Sequence, residues 1–184
     1  MLNKKNKKSA GITKKIIGER IYLRPLKISD ASRRYCRWLN DEEVNRYLET
    51  KSATIAGLKK YIAKKIASPN CFFVGIFDKK KKKHIGNIKL EPIDWERKGT
   101  EYGIVIGEKN YWGKGFGEEA TRLIIDYAFN QLGLNEMYLG VIPQNKNAVE
   151  LYKRLGFKTT GVKKDAFYYK GKTFDHIRMV LIKK

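Results

Sequence analysis

Cysteine, histidine and acidic side chains are scarce in this chain, and each scarcity removes a class of chemistry. Its 184 residues include two cysteines and two histidines. Cys36 and Cys71 have neither metal-site spacing nor the density of a secreted disulfide framework, and they read as small core residues. His84 and His176 are far apart and offer no ligand pair, so no metal is expected. No run comes near the ~18 apolar residues of a membrane-spanning helix. The first residues are basic but lack the apolar segment of a secretory leader, and a cytoplasmic protein with no membrane role is expected.

Against 19 acidic side chains stand 40 basic ones, for a formal net charge of +21. The first fifteen residues hold six lysines and no acid, lack any apolar period and are expected to be a disordered basic tail. Without them, the remaining 34 basic and 19 acidic side chains still leave +15. Such a field attracts phosphates, nucleotide-linked molecules, ribosomes or nucleic acid. A lysine-rich genome would produce the same count. The bases are mostly lysines spread along the chain, without the basic–aromatic ladder that reads single strands, so nucleic acid is not the expected partner. Residues 16–184 have the length and apolar content of one domain.

What the chain does have is a glycine-rich loop, Tyr111 to Ala120, with Gly113, Gly115 and Gly117 alternating. A β-like run, Tyr102 to Ile106, precedes it. A helical period follows it in Ala120, Leu123, Ile124, Tyr127, Ala128 and Leu132. Free N–H groups at that helix start, backed by the helix dipole, form a site for phosphate or pyrophosphate. Glycines let the anion approach, and Lys114 adds a point charge. A Walker loop does not fit, for lack of Gly-Lys-Ser/Thr. The spacing Gly115-x-Gly117-x-x-Ala120 nearly matches a dinucleotide fingerprint, but the next strand, Met137 to Ile142, ends without the required acid. A ligand-free turn is the third reading.

The rest of the chain parses into alternating elements. A strand is predicted from Arg20 to Leu26, then a helix capped by Asp30 and reaching Asn40. Helices over 44–49 and 54–67 follow, the latter capped by Thr54. Strands over 72–77 and 84–90 form a hairpin across five lysines, and Thr100 to Ile106 is the fourth strand. Helix 118–132 ends at Gly133 and strand 135–142 follows. A helix capped by Asn145 or Asn147 carries Ala148, Leu151, Tyr152 and Leu155 to Gly156. Strands over 157–163 and 173–182 close the chain.

Two segments then combine. Trp112-Gly113-Lys114-Gly115-Phe116-Gly117 resembles the Gln/Arg-x-x-Gly-x-Gly/Ala cofactor motif of the GNAT superfamily of N-acetyltransferases, with Trp in the first place. Asn145, Ala148, Tyr152, Gly156 and Phe157 match its second motif in full. Leu23-Arg24-Pro25-Leu26 and Arg37-Trp38-Leu39-Asn40-Asp41 resemble the N-terminal signature of the branch holding ribosomal-protein, spermidine and sugar-cluster acetyltransferases. The likeness spans residues 19 to 182. It implies an α/β (α+β) fold: a mixed, mostly antiparallel seven-stranded sheet flanked by helices, splayed between its fourth and fifth strands.

The resemblance also implies acetyl-CoA as cosubstrate and direct attack by a primary amine in a ternary complex. Pyrophosphate would sit on residues 112–117, with Ile104, Val105 and Ile106 pairing with the pantetheine arm and Asn145 bonding to it. Tyr152 would be the general acid, protonated at neutral pH because a phenol has a pKa of about 10. Glu101 is the candidate base, directly or through water. Trp38, Asn45, Arg46 and Tyr47 would face the acceptor. An amino sugar linked to a nucleotide is the expected acceptor, since a cationic enzyme suits a polyamine poorly. A ribosomal-protein N-terminus is the alternative, and a non-catalytic RNA- or ribosome-binding module the second. Monomer and homodimer both stay open.

Overall fold

The computed structural model describes residues 15–169 and 171–184. The expected basic tail therefore lies outside the described residues, apart from Lys15, whose ammonium sits 4.8 Å from the centroid of the Tyr22 ring. Strands β1 (Ile16–Ile17) and β2 (Ile21–Pro25) lead into helices α1 (Arg33–Asn40), α2 (Glu42–Asn45) and α3 (Ile55–Ala67). Strands β3 (Phe72–Asp78), β4 (His84–Asp94) and β5 (Gly99–Ile106) follow. Then come α4 (Phe116–Asn130), β6 (Glu136–Val141), α5 (Lys146–Arg154), β7 (Lys158–Tyr169) and β8 (Lys172–Ile182). One sheet holds all eight strands in the order β1-β2-β3-β4-β5-β6-β8-β7. The expected seven strands are thus present, with the two-residue β1 added at the edge of β2.

Every pairing is antiparallel except β5 with β6. β3 is buried along its whole length because the sheet carries a core on each face. Alternation sends Phe72, Val74 and Ile76 to one face, with Ala120, Ile124 and Ala128 of α4 and Val149 and Tyr152 of α5. Phe73 goes to the other, with Tyr35, Trp38, Leu39, Leu58 and Ile62 of the first three helices. The cofactor-type helix and the acceptor-type helices therefore sit on opposite sides of one sheet.

The parallel pair is short. Gly99, Thr100 and Glu101 pair with Glu136, Met137 and Tyr138, and there the pairing ends. β5 runs on to Ile106 against β4 alone, so its other edge from Tyr102 onward has no strand partner, and at its end the Ile106 carbonyl accepts from the Trp112 indole. Tyr102, Tyr152 and Phe157 pack together where the strands part, with ring centroids 5.7 to 6.3 Å apart.

Two helix starts differ from expectation. Asp30 caps no α-helix: it lies in a 3-10 turn, Ile28–Asp30, and both its carboxylate oxygens accept from Arg24 at 2.7 Å. Ser32 caps α1 instead, accepting from the Tyr35 N–H. The short second helix starts earlier than 44, because Asp41 accepts from the N–H groups of Glu43 and Val44. Thr54 caps α3 as expected, accepting from Gly57 at 3.0 Å.

Candidate active site

The glycine loop becomes a helix N-terminus through one left-handed residue. Gly115, at φ 77°, is the N-cap of α4, and Gly113 is also left-handed at φ 68°. The first intrahelical bond runs from the Glu119 N–H to the Gly115 carbonyl, so the N–H groups of Phe116, Gly117 and Glu118 are left for an anion. Two acids in that first turn would oppose it, and both are drawn away. Glu119 accepts from the Arg20 and Ile21 N–H groups and from the Arg20 guanidinium. Glu118 is held by Arg122 and Arg154.

Arg20 organises this loop, and no local signal in the sequence points to it. Its guanidinium also donates to the Lys114 carbonyl at 2.8 Å and lies 4.5 Å from the centroid of the Phe116 ring. Trp112, in the place of the family's Gln or Arg, donates from Nε1 to the Ile106 carbonyl at 2.7 Å, tying the loop to the end of β5. The Tyr102 hydroxyl meets Thr121 Oγ1 at 2.8 Å, and that hydroxyl donates to the Gly117 carbonyl. The loop is therefore preformed on three sides.

A cleft of about 1950 Å³ joins the loop to the splay. It is lined by Ile104, Val105, Ile106, Trp112, Gly113, Gly115, Phe116 and Gly117 of the expected cofactor set. Lys114 is not among them: its ammonium turns back to the Asn110 carbonyl at 2.8 Å, because the preceding turn offers it an acceptor. Asn145 sits at the N-cap of α5, yet its side chain makes no capping bond, and its amide stays uncommitted at the cleft wall. These residues fit a CoA-like molecule: open N–H groups for its phosphates, an unpaired strand edge for its amide-containing arm, and a free side-chain amide across the gap.

Tyr152 projects from α5 beside the end of the β5–β6 pairing and lines the same cleft. Burial pushes its phenol up to about 12, so it is protonated throughout the neutral range. Its hydroxyl bonds to no described residue and is left to donate into the cleft. Glu101 stands on β5, exposed and facing the cleft, on the same strand face as Gly103 and Val105.

The acceptor wall divides the expected residues. Arg46 and Tyr47 line the cleft, and the Tyr47 hydroxyl reaches across it to the Gln144 carbonyl at 3.3 Å. Trp38 and Asn45 do not line it. Trp38 is 4% exposed, lies over Gly107, meets the His84 ring with centroids 4.9 Å apart and donates to Glu108 at 3.1 Å, because the inner face of α1 turns its indole into the second core. Asn45 is 3% exposed and bridges the Leu39 and Lys51 carbonyls, which holds the chain after α2 in place. Two further residues enter the cleft unannounced by any motif, Glu49 and His176. Among the described residues no His/Cys/Asp/Glu group is arranged to hold a metal, and no helix is long and apolar enough to cross a membrane.

Comparison with known proteins adds three findings. A family model described as an acetyltransferase (GNAT) domain matches residues 20–158. The uncharacterized N-acetyltransferase p20 of Bacillus licheniformis is 31% identical over 172 residues, covering 90% of this chain and 94% of that protein. Spermidine N(1)-acetyltransferase of Escherichia coli K12 is 33% identical over 96 residues, about half of each chain. Among solved structures, spermidine N-acetyltransferase from Vibrio cholerae in complex with CoA and spermine superposes with a TM-score of 0.82. It is 27% identical and covers 89% of this chain and 95% of its own.

Proposed function

The chain belongs to the GNAT acetyltransferase family, and from that premise we propose that its acceptor is a small molecule bearing a primary amine beside an anionic group, of the class of nucleotide-linked amino sugars. Acetyl-CoA is the donor. The observation that carries the acceptor reading is the set of uncommitted charges in the cleft. Most of its acids already have partners: Glu43 has Lys109, Glu91 has Lys65 and Lys89, Glu118 has two arginines and Glu150 has Lys153. Glu49 and Glu101 make no ion pair or side-chain hydrogen bond among the described residues, and neither do the cations Arg46, Lys146 and Lys163. Two open carboxylates suit one ammonium, and three open cations suit a phosphate. A molecule carrying several ammonium groups would bring some of them against those cations.

The chain's own groups divide the work. The N–H groups of residues 116–118 hold the donor's phosphates. The free edge of Ile104 to Ile106 aligns the arm, and an N–H there polarises the thioester carbonyl. Glu101 meets the ammonium, directly or through a water, and holds it where its proton is removed. Tyr152 protonates the departing sulfur. Holding both reactants in one cleft makes the transfer a direct attack in a ternary complex.

A polyamine acceptor is the second reading. It is favoured by the spermidine acetyltransferase relatives. Thiol release from acetyl-CoA, measured across nucleotide amino sugars, polyamines, aminoglycosides and N-terminal peptides, separates the two. Turnover of the amino sugars with the highest kcat/KM is expected. Spermidine as sole substrate would overturn the acceptor class and leave the reaction class intact. Turnover of peptides alone would move the acceptor to protein N-termini.

A further inference from the structure

His176 stands on β8 with its ring in the cleft. Its place depends on a bare backbone opposite: a Cβ at Gly140 on β6 would come 3.0 Å from the ring's Nδ1. Phe167 of β7 stacks on the other side, with centroids 5.8 Å apart and planes 21° from parallel. Neither ring nitrogen bonds to a described residue. The other histidine differs: His84 is buried and engages Asn87 Oδ1 at 2.8 Å.

Charges face His176 from two strands and a loop. Glu49, beyond α2, and Glu101, on β5, favour its protonated form, while Lys163, its cross-strand partner on β7, opposes it. β6 presents Gly140 and no charge, and the neighbouring Asp175 is paired with Lys164. Burial is the largest influence and with Lys163 outweighs the carboxylates, so the imidazole sits below its ordinary value and is neutral at pH 7. A neutral imidazole with free nitrogens, set among carboxylates that attract ammonium, is equipped to take a proton from it.

We propose that His176 is the proton acceptor for the acceptor amine, with Glu49 and Glu101 holding the ammonium beside it. This rests on the acetyltransferase reading of the cleft and supplies the group that removes the proton from the ammonium held at Glu101. The ammonium passes one proton to the ring, which becomes imidazolium. The freed nitrogen lone pair forms the N–C bond at the thioester carbonyl, and the C–S bond breaks. Tyr152 gives its proton to the sulfur and regains one, through water, from the nitrogen that is becoming an amide. The imidazolium returns its proton to water. Amide, CoA thiol and one released proton balance the step.

The first test needs no turnover. With two histidines in the chain, the His176 ring signals are assigned in an NMR pH titration by their loss in His176→Gln. A neutral ring at pH 7 is expected, with a still lower pKa in Glu49→Gln and in Glu101→Gln, since each removes a charge that favours protonation. A ring protonated at pH 7, or one indifferent to both variants, overturns the proposal whatever the enzyme's substrate. The second test is kinetic. His176→Gln should lose about 100-fold in kcat at unchanged CoA affinity, the range of a general base. It should also lose the acid limb of the wild-type profile, and added imidazole should partly rescue His176→Ala. A variant within about twofold of wild type, with the wild-type profile, sinks it. Absence of turnover by wild type on every amine instead counts against the acetyltransferase reading, with the NMR result standing separately.

Discussion

At position 152 a single oxygen atom separates a catalytic tyrosine from a packing one. Tyr152→Phe keeps the ring contacts with Tyr102 and Phe157 and removes only the donor. If that donor serves the leaving sulfur, kcat falls about 100-fold or more while CoA affinity, measured by isothermal titration, changes less than about threefold. Equal losses in both would mark a packing residue. Arg20 makes the complementary case, acting on binding and not on chemistry. Arg20→Met keeps the aliphatic stem and the backbone N–H bonds to Glu119 but removes the guanidinium bonds to Glu119 Oε2 and to the Lys114 carbonyl. CoA affinity should drop about tenfold, given ~1.5–3 kcal/mol for hydrogen bonds to charged groups and a Glu119 charge no longer neutralised beside the phosphate site. Turnover at saturating CoA should hold. An unchanged CoA affinity would show that the loop stands without its clamp.

On the scale of elements, two glycines control how the site is assembled. Gly115 starts α4 in a left-handed conformation that L side chains rarely adopt, 3.2 Å from the Arg20 guanidinium by any added Cβ. Gly115→Asp combines backbone strain with a negative charge beside the open N–H groups, and CoA binding should vanish while circular dichroism stays native-like. Gly107 lies after β5 against α1. A Cβ there would come 2.0 Å from the Trp38 ring, so Gly107→Ala must push α1 off the sheet. Overpacking of this kind costs ~1–3 kcal/mol, so the melting temperature should fall by about 5 °C in a chain of this size. Calorimetry checks it, and an unchanged melting temperature would show that α1 yields freely.

For the whole molecule, acid is the expected weakness. Burial pushes the carboxyls of Glu91 and Glu108 up, but bonds from Lys65 and Lys89 to the first, and from Lys83 and Trp38 to the second, win and hold both below the ordinary value. Asp78 follows the same pattern, with burial opposed by backbone N–H donors and Tyr111. A lowered folded-state pKa means that the unfolded chain binds more protons. The stabilisation is complete above the ordinary carboxylate range and is lost as pH falls through the folded values. The melting temperature should thus begin to fall below about pH 6.5, where the unfolded chain protonates His84 and His176 that burial holds lowered in the fold, and fall further below about pH 4.5, the decline steepened by a net charge already at +21. Glu108→Gln should make that decline shallower. Identical pH profiles for the variant and wild type would remove Glu108 from the account.

The parts of this protein that were legible in its sequence are those whose physics is local. A helix start needs only glycines and a following period of 3.6, and α4 stands where those residues put it, two residues before the expected start. Asn145 and Tyr152 keep a fixed offset on a single helix and its N-cap, so their common place at the cleft was readable as spacing. Direction across the sheet was not. Trp38 looks like a wall of the acceptor pocket until Gly107 and Glu108, about 70 positions away, give its indole a core to enter. Asp30 looks like a cap until Arg24 reaches it first. Arg20 and Glu119 meet across 99 residues, and Glu49, Glu101 and His176 come from a loop and two strands far apart in the chain. Local propensity fixes which backbone segments become helix or strand. Which charges share a cleft is decided when those segments pack, because only then does burial leave some of them paired and others open.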